Sequence, residues 1–481
     1  MSNLTEQTAE IKKALDVQKA SWSQSTGLVQ YNLEAPAKFL VPVLTPLRNI
    51  TPRVKTQGGT QANWKAITAI NLNNVAAGIS EGSRNAEIVP QVANYSAAFV
   101  GFGQDNSFTF EAEFAAEGFD DVRARSSENL LKSVMIEEEK LMISGHGTFG
   151  LGVTPQPTLT LATGGTLALS STNVYCVALT ADGLARTTIA AGCPGQISRT
   201  NADGSVDLFG GGNAQVSAAG TITPTSGNQK IVAKVAAVPG AAAYVWYLGG
   251  SASTAAITKI TTVNTYTFDG SESAGSQKAN DAKVAADYSA NSLVFDGLIA
   301  QAAKSGSNAY VKSLDGASLT SDGAGGIVEF DAALQDRWDN YRLTPDTIWV
   351  NSAQAKAIKK LVVGNGGAPL VRLNMDANGG VNGLTAGAVV ASYLNPFGLG
   401  SGEEIPIKIH PYLPAGTILM TSKSIPYPLS NVADVFRMLL RRDYYFIQYP
   451  LRTRKYEFGI YADGVLQHYF PPSMVLIQNV A

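Results

Sequence analysis

The sequence predicts a mixed α+β fold interrupted by an all-β module, and three observations carry the expectation. Helical periodicity runs over 119–144 and returns over 292–306, 329–343 and 353–362, around a short apolar strand at 347–352. From 405 onward the apolar residues alternate in strand-like runs, antiparallel in style. Between these parts lies a break in composition: charged residues make up about 8% of 150–275 and about 18% of the rest.

The N-terminal elements are the least regular. Residues 5–21 read as a thin amphipathic helix with Leu4, Ile11, Ala14 and Leu15 at helical spacing, and the following segment reads as an extended arm. KFLVPVLTPLRNITPRV (38–54) places three prolines among apolar residues, a strand and turns expected to dock on a core. Residues 57–104 read as a long two-stranded excursion. QANWKAITAI (61–70) forms one limb, Ile88 to Phe102 the other, and a small, polar, Gly-bearing stretch lies between them. A lone two-stranded ribbon is marginal in water, so this one either packs on another subunit or lies as an ordinary hairpin on its own core.

The helix over 119–144 has Asp120 and Asp121 at its start, where carboxylates meet the positive end of the dipole, and Gly145 at its stop. Leu131, Val134, Met135, Leu141 and Met142 share a face into which Glu138 intrudes. The run Glu137, Glu138, Glu139 is either a solvated face or a partner for basic groups of a neighbour. The stretch 150–275, rich in Thr, Ser, Gly, Ala and Val, reads as a β-sandwich inserted at Gly/Pro/Ser-rich joins.

Composition excludes several classes. The chain has 481 residues, room for about three domains, and with 45% hydrophobic residues it is no disordered chain. At 15% charged residues it is no coiled coil. A net charge of −2 gives no footprint for sequence-specific nucleic-acid binding. The two cysteines, Cys176 and Cys193, read as free thiols of a reducing compartment. No apolar run is long enough to span a membrane, and the charged N-terminus does not read as a signal peptide, so the expectation is a soluble product made in the cytoplasm. His146, His410 and His468 are the only histidines. No zinc spacing, Cys-x-x-Cys, nucleophile elbow or phosphate loop is present, so neither an enzyme, a metal nor a cofactor is expected.

Four strings resemble one family. GISEGSRNAEIVPQVANYSAAFVGFG (78–103), EEEKLMISGHGTFGLGVTP (137–155), TIWVNSAQAKAIKKLVVGNGGAPLV (347–371) and YEFGIYADGVLQHYFPPSMVLI (456–477) resemble, in order, four parts of the Hong Kong 97 fold of tailed-phage major capsid proteins. These are its extended loop, the end of its spine helix, its axial strand–helix segment, and its C-terminal strand pair with an Asp-Gly turn. VAKVAAVPGAAAYVWYLGG (232–250) resembles a strand–turn–strand passage of immunoglobulin-like or fibronectin type III-like modules, with Trp246 or Tyr247 filling the core.

The resemblance implies a division into an N-terminal helix and arm (1–50), an extended ribbon (51–105), a spine-helix part of a peripheral domain (106–150), the insertion (151–278), an axial α/β domain (279–403) and C-terminal strands (404–481). It implies a structural subunit that forms hexamers and pentamers of an icosahedral phage head around double-stranded DNA. Its partners would be its own copies, with separate scaffold, portal and decoration proteins and non-specific packaged DNA, and its place the virion. Inter-subunit contacts would come from the ribbon tip, Ile79, Glu81, Arg84 and Asn85, with Arg84 and Lys65 facing Glu137, Glu138 and Glu139. The insert would sit outside and need little from its host. The basic C-terminal residues Arg437, Arg441, Arg442, Arg452, Arg454 and Lys455 would either face DNA or alternate on a half-exposed sheet. Two other readings stay open: a tail-tube or baseplate component, and a carbohydrate-binding adhesin.

Overall fold

The computed structural model describes residues 8–10, 38–117, 120–364, 371–375, 381–386, 390–397, 402–428 and 430–481. The expected N-terminal helix, apart from 8–10, and the arm up to residue 37 lie outside them.

Two long strands, Phe436–Gln448 and Lys455–His468, pair antiparallel and organise a four-stranded lower sheet. Val100–Thr109 joins one side antiparallel and the short Arg53–Lys55 joins the other in parallel. Across this sheet lies the long helix Val122–Ser144. The Asp121 carboxylate accepts from the Ala124 amide at 2.9 Å and so caps its first turn. Leu130 and Val134 bury against Phe108, Phe458 and Ile460. Gly145 ends the helix where a Cβ would stand 2.3 Å from the Phe295 carbonyl, so only glycine lets the two segments pass.

Two expectations about this sheet change. The limb from Ile88 to Phe102 is split: Gln91–Ala98 stays in the ribbon, and Val100 onward belongs to the sheet. Asp463-Gly464, read as a turn, lies inside the continuous strand 455–468. The reason is packing on both sides. The partner strand is bulged between Leu440 and Tyr445, and a Cβ on Gly464 would meet the Leu440 side chain at 2.6 Å. Asp463 instead pairs with Arg441 at 2.6 Å.

The second layer is a six-stranded sheet in the order 310–313, 475–478, 418–421, 347–350, 403–409, 392–395. It is mixed: Thr347–Val350 runs parallel to Glu403–Ile409 and antiparallel to Ile418–Thr421. The strand 403–409, expected among the antiparallel set, therefore pairs in parallel with 347–350 inside this mixed sheet. Val328–Tyr341 packs Phe330, Ala333 and Leu334 into this sheet's core, and Ser352–Gly364 adds Ile358. Asn351 explains the Trp-Val-Asn string: its Oδ1 accepts from the Ala353 amide at 3.0 Å and its Nδ2 donates to the Leu413 carbonyl at 2.7 Å. The helix expected over 292–306 is confined to Leu298–Ala303.

The insert is a sandwich of a three-stranded sheet (265–268, 229–234, 158–163) and a four-stranded sheet (256–261, 243–249, 172–179, 220–222). Numbered along the chain without the hairpin 196–210, the strands divide as 7-4-1 and 6-5-2-3. An immunoglobulin constant domain divides as 1-2-5-4 and 3-6-7. The two-sheet packing is present; the immunoglobulin-like connectivity is not. Trp246 is fully buried between the sheets, edge-on to Phe268, with its indole N–H donating to Thr261 at 2.8 Å. Tyr247, one residue on, is buried on the outer face of the four-stranded sheet. Ala279 and Val284 cover that face too, so residues 279–290 pack with the module rather than with its host.

The module is bolted down, contrary to the expectation that it needs little from its host. The Gln478 side chain accepts from Gly240 N at 3.1 Å and donates to the Val238 carbonyl at 2.9 Å. Asp315 takes Lys234 at 2.9 Å and Asn264 at 2.8 Å. At the entry, Asp296 accepts from the Gly147 and Thr148 amides and from Lys304.

Candidate assembly surface

The ribbon grows out of the lower sheet. Gln61–Ala69 pairs antiparallel with Gln91–Ala98, and neither strand pairs with any other described strand. Its base is held by apolar contact. Ala62 and Phe99 are buried in the core beside the lower sheet, and Trp64 stacks on Tyr95 at 5.8 Å and meets Tyr469 edge-on at 6.0 Å. Above the base the apolar side chains are uncovered by any of the described residues. Ile67 and Val92 face each other across the ribbon at 69% and 53% exposure, and Ile70 is 71% exposed.

The loop at the far end is built by asparagines. Asn71 bonds Val75 in both directions at 3.0 Å, Asn73 donates to the Glu87 carbonyl at 2.8 Å, and Asn85 donates to the Ala76 carbonyl at 2.7 Å. Asn74 adopts a φ of 49°, a left-handed conformation that asparagine tolerates. The loop is thus shaped without a core. The expected contact residues Lys65, Ile79, Glu81, Arg84 and Asn85 all stand exposed on this excursion, and Lys65 faces Asn94 across the strands.

Two of the three glutamates are taken up inside the chain. Glu137 is half exposed and pairs with Lys140 at 2.7 Å. Glu138 and Glu139 are fully buried and saturated within the chain, so neither is available to Lys65 or Arg84 of a neighbour. Glu139 accepts from the backbone amides of Leu47 (2.8 Å) and Arg48 (2.7 Å), the first residues of the short helix Pro46–Ile50. Its third donor is His410 Nε2 at 2.6 Å; His410 Nδ1 accepts from the Tyr412 amide, which places the ring proton on Nε2. Glu138 takes Arg48 Nε at 2.8 Å, Arg53 Nη1 at 2.5 Å and the Tyr444 hydroxyl. Burial works against the Arg53 charge, but hydrogen bonds to Asp443 and Glu138 more than offset it and raise its pKa. Burial, and then the Glu138 charge, raise the Tyr444 hydroxyl. Two adjacent helix carboxylates thereby fasten the segment leading into the ribbon to the helix, the lower sheet and the loop after strand 403–409.

The basic C-terminal residues are largely engaged in the sheet. Arg437 donates to Gln467, Arg441 pairs with Asp463, Arg454 with Glu111, and Arg442 lies over the Tyr445 ring at 4.5 Å. Among the described residues no group of three or more His, Cys, Asp and Glu side chains is arranged to hold a metal ion. His468 is buried with both ring nitrogens unpartnered, and burial pushes its pKa down to about 3.

No family model matches the chain, and no curated protein does. Solved structures align along most of its length. The capsid of a native GTA particle aligns over 96% of this chain and 99% of its own, at 12% identity and a TM-score of 0.44. The capsid of Myoviridae phage XM1 aligns over 95% and 99%, at 9% identity and 0.40. The SrpI encapsulin of Synechococcus elongatus aligns over 95% and 94%, at 7% identity and 0.38.

Proposed function

We propose that this chain is the repeating subunit of a closed protein shell of the Hong Kong 97 type, with the major capsid protein of a tailed phage as its specific form. One observation carries the reading: a ribbon rooted firmly in the body presents exposed apolar side chains, Ile67, Ile70 and Val92, and pairs with no third strand among the described residues. An exposed two-stranded ribbon of this kind is marginal alone and finds its remaining contacts on another copy. The work is association rather than chemistry. Many identical contacts of modest strength add up once they close into rings and a shell.

On this reading the copies form hexamers and pentamers around packaged double-stranded DNA, and the inserted sandwich is carried on the shell. Removing residues 74–86 and closing the ribbon with a short turn leaves the buried base intact. The expected result is a folded subunit, judged by circular dichroism, that yields no closed particles by electron microscopy. Normal particles from this deletion would refute the proposal.

A further inference from the structure

We propose that the inserted module forms one jaw of the site that receives the ribbon of a second copy, its hairpin closing a groove above the long helix. The inference rests on the shell-subunit reading. The hairpin consists of Gln196–Thr200 and Val206–Gly210, which among the described strands pair with each other alone. Beneath it lies a cavity of about 800 Å³. Its lining includes Val134, Glu137 and Lys140 of the long helix, Phe102 of the lower sheet, and Arg199 and Phe209 of the hairpin. No ribbon residue of the same chain before Phe99 lines it.

The charges on these walls are already matched. Glu137 pairs with Lys140 at 2.7 Å, Asp182 with Arg186 at 3.0 Å and Asp207 with Arg199 at 2.7 Å. Arg186 and Arg199 both lie over the Phe209 ring at 5.6 Å. What the groove offers is therefore rings, side-chain stems and internally neutralised pairs. Nucleic acid or an anionic membrane surface requires basic groups in excess. A neutral, partly apolar strand pair does not, and the ribbon matches that description in balance: over residues 61–98 Lys65 and Arg84 offset Glu81 and Glu87, and no other Asp, Glu, Lys, Arg or His is present.

One chain thus carries both a neutral projection and a neutral recess. Such a head-to-tail contact gives a ring when its rotation closes and an open filament when it does not.

The test uses the full chain carrying Val92→Cys on the ribbon and Arg199→Cys on the hairpin; the native Cys176 and Cys193 are buried. Oxidised particles should give covalent oligomers on a non-reducing gel. The pair Val92→Cys with Leu394→Cys, at the edge of the six-stranded sheet, should give none. Particles whose Val92/Arg199 pair remains monomeric, or links only within one chain, overturn the groove while the shell stands. Absence of particles from the unaltered chain overturns both. Hydrogen exchange on the unaltered chain gives an independent reading. Amides of 196–210 should gain at least tenfold protection on passing from free subunit to particle, and no gain overturns the proposal.

Discussion

Replacing Glu138 by Gln separates a folding role from an assembly role for the acidic run. Glu138 is fully buried and accepts from two guanidinium groups and a phenol. Glutamine keeps the shape but removes the charge and places an amide donor among donors. Breaking a buried pair from one side costs about 3–5 kcal/mol, because the remaining charges stay desolvated. Arg53 retains Asp443, and Arg48 is partly exposed, so the lower half of that range is expected. At roughly 2–4 °C per kcal/mol, the figure for a unit of about 150–250 residues, the host transition should fall by roughly 6–16 °C. Glu137→Gln is the control. Its pair with Lys140 is exposed, a kind worth about 0–1 kcal/mol, and its transition should hardly move. The assay is thermal unfolding of dissociated subunits, where no neighbour contributes. If Glu138→Gln unfolds at the same temperature as the Glu137→Gln protein, the node is not what holds this segment.

Two further outcomes follow from buried groups. His468 is depressed to about 3 by burial, so between pH 6.5 and 3 the unfolded chain binds a proton that the folded one does not. Its contribution is complete above about pH 6.5 and is lost at about 1.4 kcal/mol per pH unit as pH falls. His468→Leu, which keeps an apolar group against Phe436, should shift the acid-unfolding midpoint downward by half a pH unit or more; an unchanged midpoint would exclude His468 as the acid-labile group. Gln478→Ala strands the Val238 carbonyl and the Gly240 amide at the module's foot, each at about 1–3 kcal/mol. Amide exchange over 238–242 should accelerate at least tenfold, and unchanged exchange would mean that the sandwich is held by other contacts.

Legibility in the sequence followed the range of the interactions. The long helix announced itself through Asp120, Asp121, Gly145 and its apolar spacing, because caps and periodicity are local. The adjacent Trp246 and Tyr247 read as core aromatics, and strand alternation then sends them to opposite faces of one sheet. The acidic node was hidden because Glu138 meets Arg48, Arg53 and Tyr444 only through tertiary pairing across 85 to 306 residues. A signal existed: Glu138 falls on the helix's apolar face, and a carboxylate there needs buried cations. Asp463-Gly464 misled for the opposite reason. As a dipeptide it is a strong hairpin signal, but here glycine serves the close approach of Leu440.

The node and the ribbon are parts of one arrangement. A projecting element can dock on a neighbour only if its direction is fixed before contact, since ordering it afterwards subtracts from the association energy. The lower sheet fixes one limb, because Val100–Thr109 continues directly from Gln91–Ala98. The other limb has no such continuity. It is reached through the short strand Arg53–Lys55, three residues paired in parallel to Met438–Leu440, and three such pairs are little to resist torque on a lever. Arg53 of that strand and Arg48 of the helix before it end on Glu138, while the helix amides end on Glu139. Both carboxylates belong to the last turns of the long helix, which also walls the groove through Glu137 and Lys140. On the proposed shell-subunit reading, one helix therefore sets the angle of the projection through its buried glutamates and borders the recess through its exposed residues. A change at Glu138 should then alter how the ribbon leaves the body, and with it the fit between copies, even where the subunit still folds.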